Sequence, residues 1–134
     1  VFRNGKIIDS ALYSKIQKLD FKIFEGCGNE FLNNRAWWAV VVKNKIIGYC
    51  GCIYSEGVCI FNRAWVMKEY RGQGIQRAMI TARLKSAKDC TIAITYTTAS
   101  NYASANNLIS CKFRLYGPAY AYAGKEMLYF KKKL

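Results

Sequence analysis

The residues best placed to do chemistry lie in one stretch, Arg63-Ala-Trp-Val-Met-Lys-Glu-Tyr-Arg-Gly-Gln-Gly-Ile-Gln-Arg-Ala-Met-Ile80. An apolar extended run ends at Val66, a basic turn follows at Arg71, Gly72, Gln73 and Gly74, and a helical pattern starts at Ile75. Strand, turn and helix in that order leave the first helical N–H groups without carbonyl partners, and glycine lets a ligand approach the main chain. The chemistry that fits is anion binding: a phosphate or pyrophosphate held by backbone N–H groups, with Arg71 adding a fixed positive charge. On spacing alone an ordinary connection is equally open. Two better-known phosphate patterns are excluded. No Lys-Ser or Lys-Thr follows Gly74, as a Walker-type loop requires, and no third glycine stands at Rossmann spacing.

Metal and thiol chemistry have weaker claims. The chain has six cysteines and no histidine. Cys50 and Cys52 point to one face of a strand and Cys59 lies on the next, but there is no Cys-x-x-Cys pair, so small buried hydrophobes explain them better than zinc does. With no histidine to deprotonate it, no cysteine has the marks of a covalent nucleophile. A domain of this size with a good core needs no disulfide framework, and the thiols read as free. Charge is more informative. Lys plus Arg number 21 against 8 acids, and the excess is +3 over residues 1–62 but +10 over residues 63–134. Arg77, Arg83, Lys85 and Lys88 fall on or beside the helix after the glycine turn, and Lys131, Lys132 and Lys133 near the end. A solvated basic surface and a polyanionic partner such as nucleic acid both answer to this pattern.

Positioning these groups takes a single domain of 134 residues, 52% of them hydrophobic. The longest wholly apolar run, Ala36 to Val42, is too short to span a bilayer, and no basic-then-apolar leader opens the chain, so a cytoplasmic protein without a membrane partner is expected. Leu12, Ile16 and Leu19 share one face of a helix over about 10–24, which Gly26-Cys27-Gly28 breaks. Strands Ala36–Lys43, Ile46–Tyr54 and Val58–Met67 form an antiparallel meander through short turns. Ile75, Ala78, Met79, Ala82 and Ser86 line one side of the next helix, and the strand Thr91–Tyr96 should return parallel to the strand ending at Met67. A helix over about 101–110, the strand pair Phe113–Tyr116 and Met127–Lys132, and a bend at Gly117-Pro118 complete an α/β domain. Its mixed sheet has about six strands, with helices on both faces. Trp37 and Trp38, adjacent on a strand, must face opposite sides of it. Arg63, in an otherwise apolar strand, needs an acceptor, either a structural carboxylate or an anionic group of a substrate.

Val66-Met-Lys-Glu-Tyr-Arg-Gly-Gln-Gly-Ile resembles the coenzyme A signature of the GNAT N-acetyltransferases, Gln/Arg-x-x-Gly-x-Gly/Ala. Arg71 and Gly74 match it, while Gln76 stands where Gly or Ala is more usual. Asn101, followed twelve residues later by Phe113, is similar to the family's second motif, with Lys112 in place of its Gly. The resemblance covers roughly residues 36–134 and implies one GNAT-like acyltransferase domain over 1–134, with 1–35 a helical acceptor-side segment and 36–134 the sheet and coenzyme-binding core. It implies acetyl transfer from acetyl-CoA to a primary amine by direct attack in a ternary complex, with coenzyme A as product and no metal. Ala64 to Met67 would pair with the pantetheine arm through their backbone, and an N–H near Ala64 or Trp65 would polarise the thioester carbonyl. Arg71, Gly72, Gln73, Gly74, Ile75 and Gln76 would hold the pyrophosphate. Asn101 would reach the arm, a role compatible with capping its helix.

The pattern departs from the family at the acid and the base. Leu108 occupies the place of the usual general-acid Tyr; Tyr96, Tyr102 and Tyr116 are substitutes among ten tyrosines. Ile60, with Asn62 beyond it, occupies the place where some relatives carry a basic Glu. Glu25, Glu30 and Glu56 are the nearest acids in sequence to the expected acceptor side, and Glu25, set among Phe21, Ile23, Phe24 and Cys27, is the candidate base. The missing groups leave a second reading, a GNAT-like basic module that binds a polyanion without chemistry.

Overall fold

The computed structural model describes residues 10–24 and 35–134. Glu25, Glu30 and the break at Gly26-Cys27-Gly28 lie outside them. The elements run α1 (Ser10–Ile23), β1 (Arg35–Val42), β2 (Lys45–Ser55), β3 (Val58–Val66), a single 3-10 turn (Lys68–Tyr70), α2 (Ile75–Ser86), β4 (Ile92–Thr98), α3 (Tyr102–Ser110), β5 (Arg114–Leu115) and β6 (Met127–Lys133). The six-stranded sheet has the order β1-β2-β3-β4-β6-β5. Its pairings are antiparallel except for β3 with β4, as the meander and the strand–helix–strand crossover require. The expected strand Phe113–Tyr116 shrinks to Arg114–Leu115, because the Phe113 N–H is bonded to Leu108 O at the end of α3.

Both hairpins of the meander close through two residues in the left-handed region, Lys43 (φ 48°) with Asn44 (φ 63°) and Glu56 (φ 48°) with Gly57 (φ 79°). This geometry matches the twist of the flanking strands. It also places Glu56 at the start of β3, the end remote from the glycine turn, so this acid is not on the expected acceptor side.

Two apolar layers sandwich the sheet. On one face Ile16 of α1 packs with Trp37, Ala39 and Tyr49. On the other, Met79, Ile80 and Ala82 of α2 and Leu108 of α3 pack with Trp38, Phe61, Phe113 and Phe130. Trp37 and Trp38 thus go to opposite cores by strand alternation. The α2 face is rotated from the expected stripe: Ala78 and Ser86 are exposed, while Ile80 and Arg83 are buried. The cause is Arg83. Its guanidinium lies 4.2 Å from the centre of the Phe61 ring and donates to Gly51 O at 3.2 Å, which draws that side of α2 onto the sheet and removes Arg83 from the basic surface.

The five cysteines among the described residues are free thiols. Cys52 and Cys59 meet at 3.1 Å between their sulfurs in the core, and burial helps push the Cys59 thiol up, after its contact with Cys52. Among the described residues no group of His, Cys, Asp or Glu is arranged to hold a metal ion, and no helix is long and apolar enough to cross a membrane.

Buried charge ties α1 to the sheet. Asp20 accepts the Tyr49 hydroxyl at 2.7 Å and pairs with Arg63 Nε at 3.2 Å, with both side chains of the pair nearly fully buried. Arg63 also stacks over Phe24, 4.8 Å from the ring centre. Removing one partner strands the other charge, so Asp20→Ala should lower stability in urea by about 3–5 kcal/mol, more than Tyr49→Phe does. Burial, then the bond to Asp20, raises the Tyr49 pKa. An unfolded tyrosine ionises near pH 10, so this contribution should be intact below about pH 10 and decline above it. Tyr49→Phe should flatten the alkaline limb of the stability curve.

Candidate functional site

β3 and β4 pair over only three positions, Val58 to Ile60 against Ile92 to Ile94. There the ladder ends, with the Thr95 hydroxyl donating to Phe61 O at 3.2 Å in place of a backbone donor. β3 runs on to Val66 and β4 to Thr98 without pairing to each other, which leaves a wedge between them. The sequence suggested an uninterrupted strand Val58–Met67, but β3 contains a bulge. Gly51 faces Asn62 and Cys50 faces Ala64, so Arg63 is the extra residue, at φ 45°. A bulge bends its strand and increases its twist, here at the point where β3 leaves β4. It also resets the alternation of faces: Phe61 before it and Val66 after it both pack on the α2 side, and Trp65 turns to the α1 side beside Tyr49.

Past the bulge, the Met67 N–H bonds to Ile47 O at 2.7 Å. Counting back along an antiparallel ladder, Trp65 turns its backbone groups to β2, and Ala64 and Val66 turn theirs to the wedge. Of the two N–H groups expected to polarise a carbonyl, Ala64 has the one that faces it. Arg71 Nε donates to the outward Val66 carbonyl at 3.0 Å and so ties the turn to the strand. Gly72 (φ 78°) and Gly74 (φ 80°) take the left-handed conformations of that turn, and a Cβ on either would meet nothing within 4 Å, so conformation rather than space selects glycine. The first α2 bond outside the turn is Ala78 N–H to Gly74 O, 3.1 Å. The N–H groups of Ile75, Gln76 and Arg77 precede it and have no carbonyl within the helix.

The wedge, the turn and α3 enclose a cleft of about 590 Å³. Ala64, Trp65, Val66, Arg71, Gly72, Gly74, Ile75, Gln76 and Asn101 all line it. Gln73 projects into solvent instead, and Met67 packs on the core. Arg63 is on the far side of the sheet, and its acceptor is the structural carboxylate of Asp20. Asn101 caps α3, accepting the Ser104 N–H at 3.2 Å. Gln76, the residue out of pattern, bridges the helices: its Nε2 donates to Ser104 Oγ at 2.9 Å and its Oε1 accepts from Asn107 Nδ2 at 2.9 Å. Arg77 Nε donates to Asn107 Oδ1 at 3.0 Å.

Leu108 is buried in the core and supplies no acid to the cleft. Tyrosines gather elsewhere. Tyr96, Tyr116, Tyr122 and Tyr129 form a cluster over β4 and β6 with ring centres 5.0–6.5 Å apart. Tyr129 donates to Gly124 O at 2.7 Å and accepts from the Ala123 N–H at 2.9 Å, which pins the segment before β6. Burial raises the pKa of Tyr116 and of Tyr122, so both hydroxyls keep their protons at neutral pH. Tyr102 is 73% exposed at the start of α3. Sequence reasoning missed Asp20, although it follows Ile16 by four residues and so shares the buried stripe of α1. It also missed Ser104 and Asn107, which recur at three-residue steps from Asn101 along one side of α3.

The model of the acetyltransferase (GNAT) family matches residues 6–113. No curated protein matches the chain. Among solved structures, a Klebsiella pneumoniae protein described as an acyl-CoA N-acyltransferase superposes with a TM-score of 0.79 at 17% identity, over 100% of this chain and 98% of that one. Arabidopsis thaliana NAA60 in complex with acetyl-CoA gives 0.77 at 18% identity, over 100% and 98%. An acetyltransferase of the GNAT family from Staphylococcus aureus gives 0.76 at 12%, over 99% of each chain.

The two kinds of glycine should separate on substitution. Gly74→Ala incurs only the left-handed conformation, about 1–2 kcal/mol of stability. Gly51→Ala puts a Cβ 2.9 Å from the Trp37 ring and 3.0 Å from Asn62 Oδ1. It should cost at least as much, with a change in tryptophan fluorescence that Gly74→Ala does not show.

Proposed function

The chain belongs to the GNAT acetyltransferase family, and on that premise we propose that it transfers an acetyl group from acetyl-CoA to a primary amine by direct attack in a ternary complex. The observation that carries the reading is the wedge between β3 and β4, which opens onto a cleft whose polar lining is rich in donors. The residues fit the coenzyme. The edge of β3 that β4 leaves open offers the N–H groups of Ala64 and Val66 to a pantetheine arm, the Val66 carbonyl being taken by Arg71, and Arg71 with the first turn of α2 offers charge and N–H groups to a pyrophosphate. The Asn101 carbonyl is used in capping, which leaves its NH2 for the arm. NAA60, of like fold, has been crystallised with acetyl-CoA and with a bisubstrate analogue.

When bound, acetyl-CoA supplies an acyl group already activated as a thioester. The chain's own part is to hold it, to aim the Ala64 N–H at the carbonyl oxygen, and to receive the amine from the α1 side. Residues 1–35 belong to that acceptor side, and Glu25 is the base we assign to the amine. Asp20 is occupied by Arg63 and Tyr49. The positive field favours an amine carried on an anionic molecule over a free polyamine.

Calorimetry with acetyl-CoA tests the coenzyme site. Binding is expected, and Arg71→Ala and Gly74→Glu should each weaken it about tenfold or more, the second by placing a carboxylate at the phosphate position. Binding that both leave untouched would refute the site. Release of free thiol with a panel of amines tests the reaction itself.

A further inference from the structure

The wall of the cleft formed by α3 carries an ordered set of side chains that the assignment of the pyrophosphate to the glycine turn does not use. Arginine Nε can only donate, so Arg77 requires the atom of Asn107 facing it to be oxygen. That orientation makes the other end of the Asn107 amide a donor, which in turn requires oxygen at Gln76 Oε1. The Gln76 nitrogen then donates to Ser104 Oγ. One arginine thus fixes both amide flips and the direction of the whole chain of bonds.

In consequence the side-chain carbonyls of Asn101, Gln76 and Asn107 are each engaged within the wall and donors are left over, while Asn106, which also lines the cleft, is exposed and stands outside this network. Asn107 Oδ1 is taken by Arg77, Gln76 Oε1 by Asn107, and Asn101 Oδ1 by the Ser104 N–H. Gln76 and Asn107 each keep an uncommitted N–H, Ser104 keeps its hydroxyl proton, and Arg77 keeps its two terminal NH2 groups, while the Asn101 NH2 is assigned to the arm. All five residues line the cleft. A surface on which uncommitted donors outnumber acceptors suits a group that is all acceptor, namely a phosphate. These side-chain donors are separate from the Arg71 guanidinium and the backbone N–H groups assigned to the pyrophosphate.

We propose that the Gln76–Ser104–Asn107–Arg77 array is a second phosphate subsite that reads the 3′-phosphate of coenzyme A and distinguishes the coenzyme from its 3′-dephospho form. This rests on the coenzyme reading above and adds a specificity to it. Gln76, in place of the small residue usual in the signature, is the centre of the array, since it alone bonds to both Ser104 and Asn107.

The test is calorimetric titration of the whole chain with coenzyme A and with 3′-dephospho-coenzyme A. The wild type should bind coenzyme A about tenfold tighter or more, with the ratio falling as salt rises. Gln76→Ala should bring the ratio close to one. Asn107→Asp, which still accepts from Arg77 but sets a carboxylate in the wall, should lower it at least as far. Equal binding of the two ligands by the wild type, or a ratio that neither variant changes, overturns the subsite and leaves the coenzyme site standing. Binding of neither ligand by the folded wild type overturns both. Thermal melts of the variants show whether they are folded, and the wild-type ratio stands as a test without them.

Discussion

One extra residue in β3 governs the architecture of the cleft. With Arg63 inserted opposite the Cys50–Gly51 step, β3 bends where its pairing to β4 ceases. The bulge is held from both faces. On the α1 side the Arg63 side chain is fixed by Asp20 and covers Phe24. On the α2 side Arg83 reaches through the core to Gly51 O, at the strand position where the register shifts. A non-glycine residue at φ 45° is costly unless its surroundings over-determine it, and two buried guanidinium groups from separate elements do so. Where the parallel ladder stops, Thr95 satisfies the first orphaned carbonyl. The wedge is therefore a built termination of pairing, closed by the Thr95 hydroxyl at one end and presenting backbone N–H groups at the other.

The fold was legible in the sequence because its signals are local and periodic. The meander, the crossover, the glycine turn and the split of Trp37 from Trp38 each follow from alternation or turn chemistry within a few residues. The bulge was not legible, since Asn62-Arg63-Ala64 carries no mark of an inserted residue; it shows only in the register against β2. The rotation of α2 was hidden for a related reason. A helical stripe was drawn through apolar residues, and Arg83 reads as surface until the Phe61 ring and Gly51 carbonyl that receive it are in place. Asp20 was passed over in the same way, as an acid on an apolar stripe whose two partners are 29 and 43 residues away.

The cleft was more readable than the chemistry expected in it. Backbone conformation selects the glycines of the turn, so they appear in the sequence as a motif. Side-chain amides, by contrast, gain direction only from neighbours. Gln76 in isolation is a departure from pattern; beside Ser104 and Asn107 it becomes the joint between two helices. The acid and base depend on distances between groups remote in sequence, and the absence of Tyr at 108 is informative without naming a replacement.

The short seam between β3 and β4 has a mechanical meaning. β1, β2 and β3 form one plate and β4, β6 and β5 another, and three residue pairs at one end join them. Bending stiffness across such a joint is low compared with that within either plate, where pairing runs the length of the strands. A molecule lodged in the wedge and bonded to both edges would act as mortar, adding the missing ladder and turning two leaves into one continuous slab. The slow amide exchange of a central strand would then extend to the wedge-facing N–H groups of residues 61–66 and 95–98 only while the wedge is filled, those facing β2 and β6 being paired in either state.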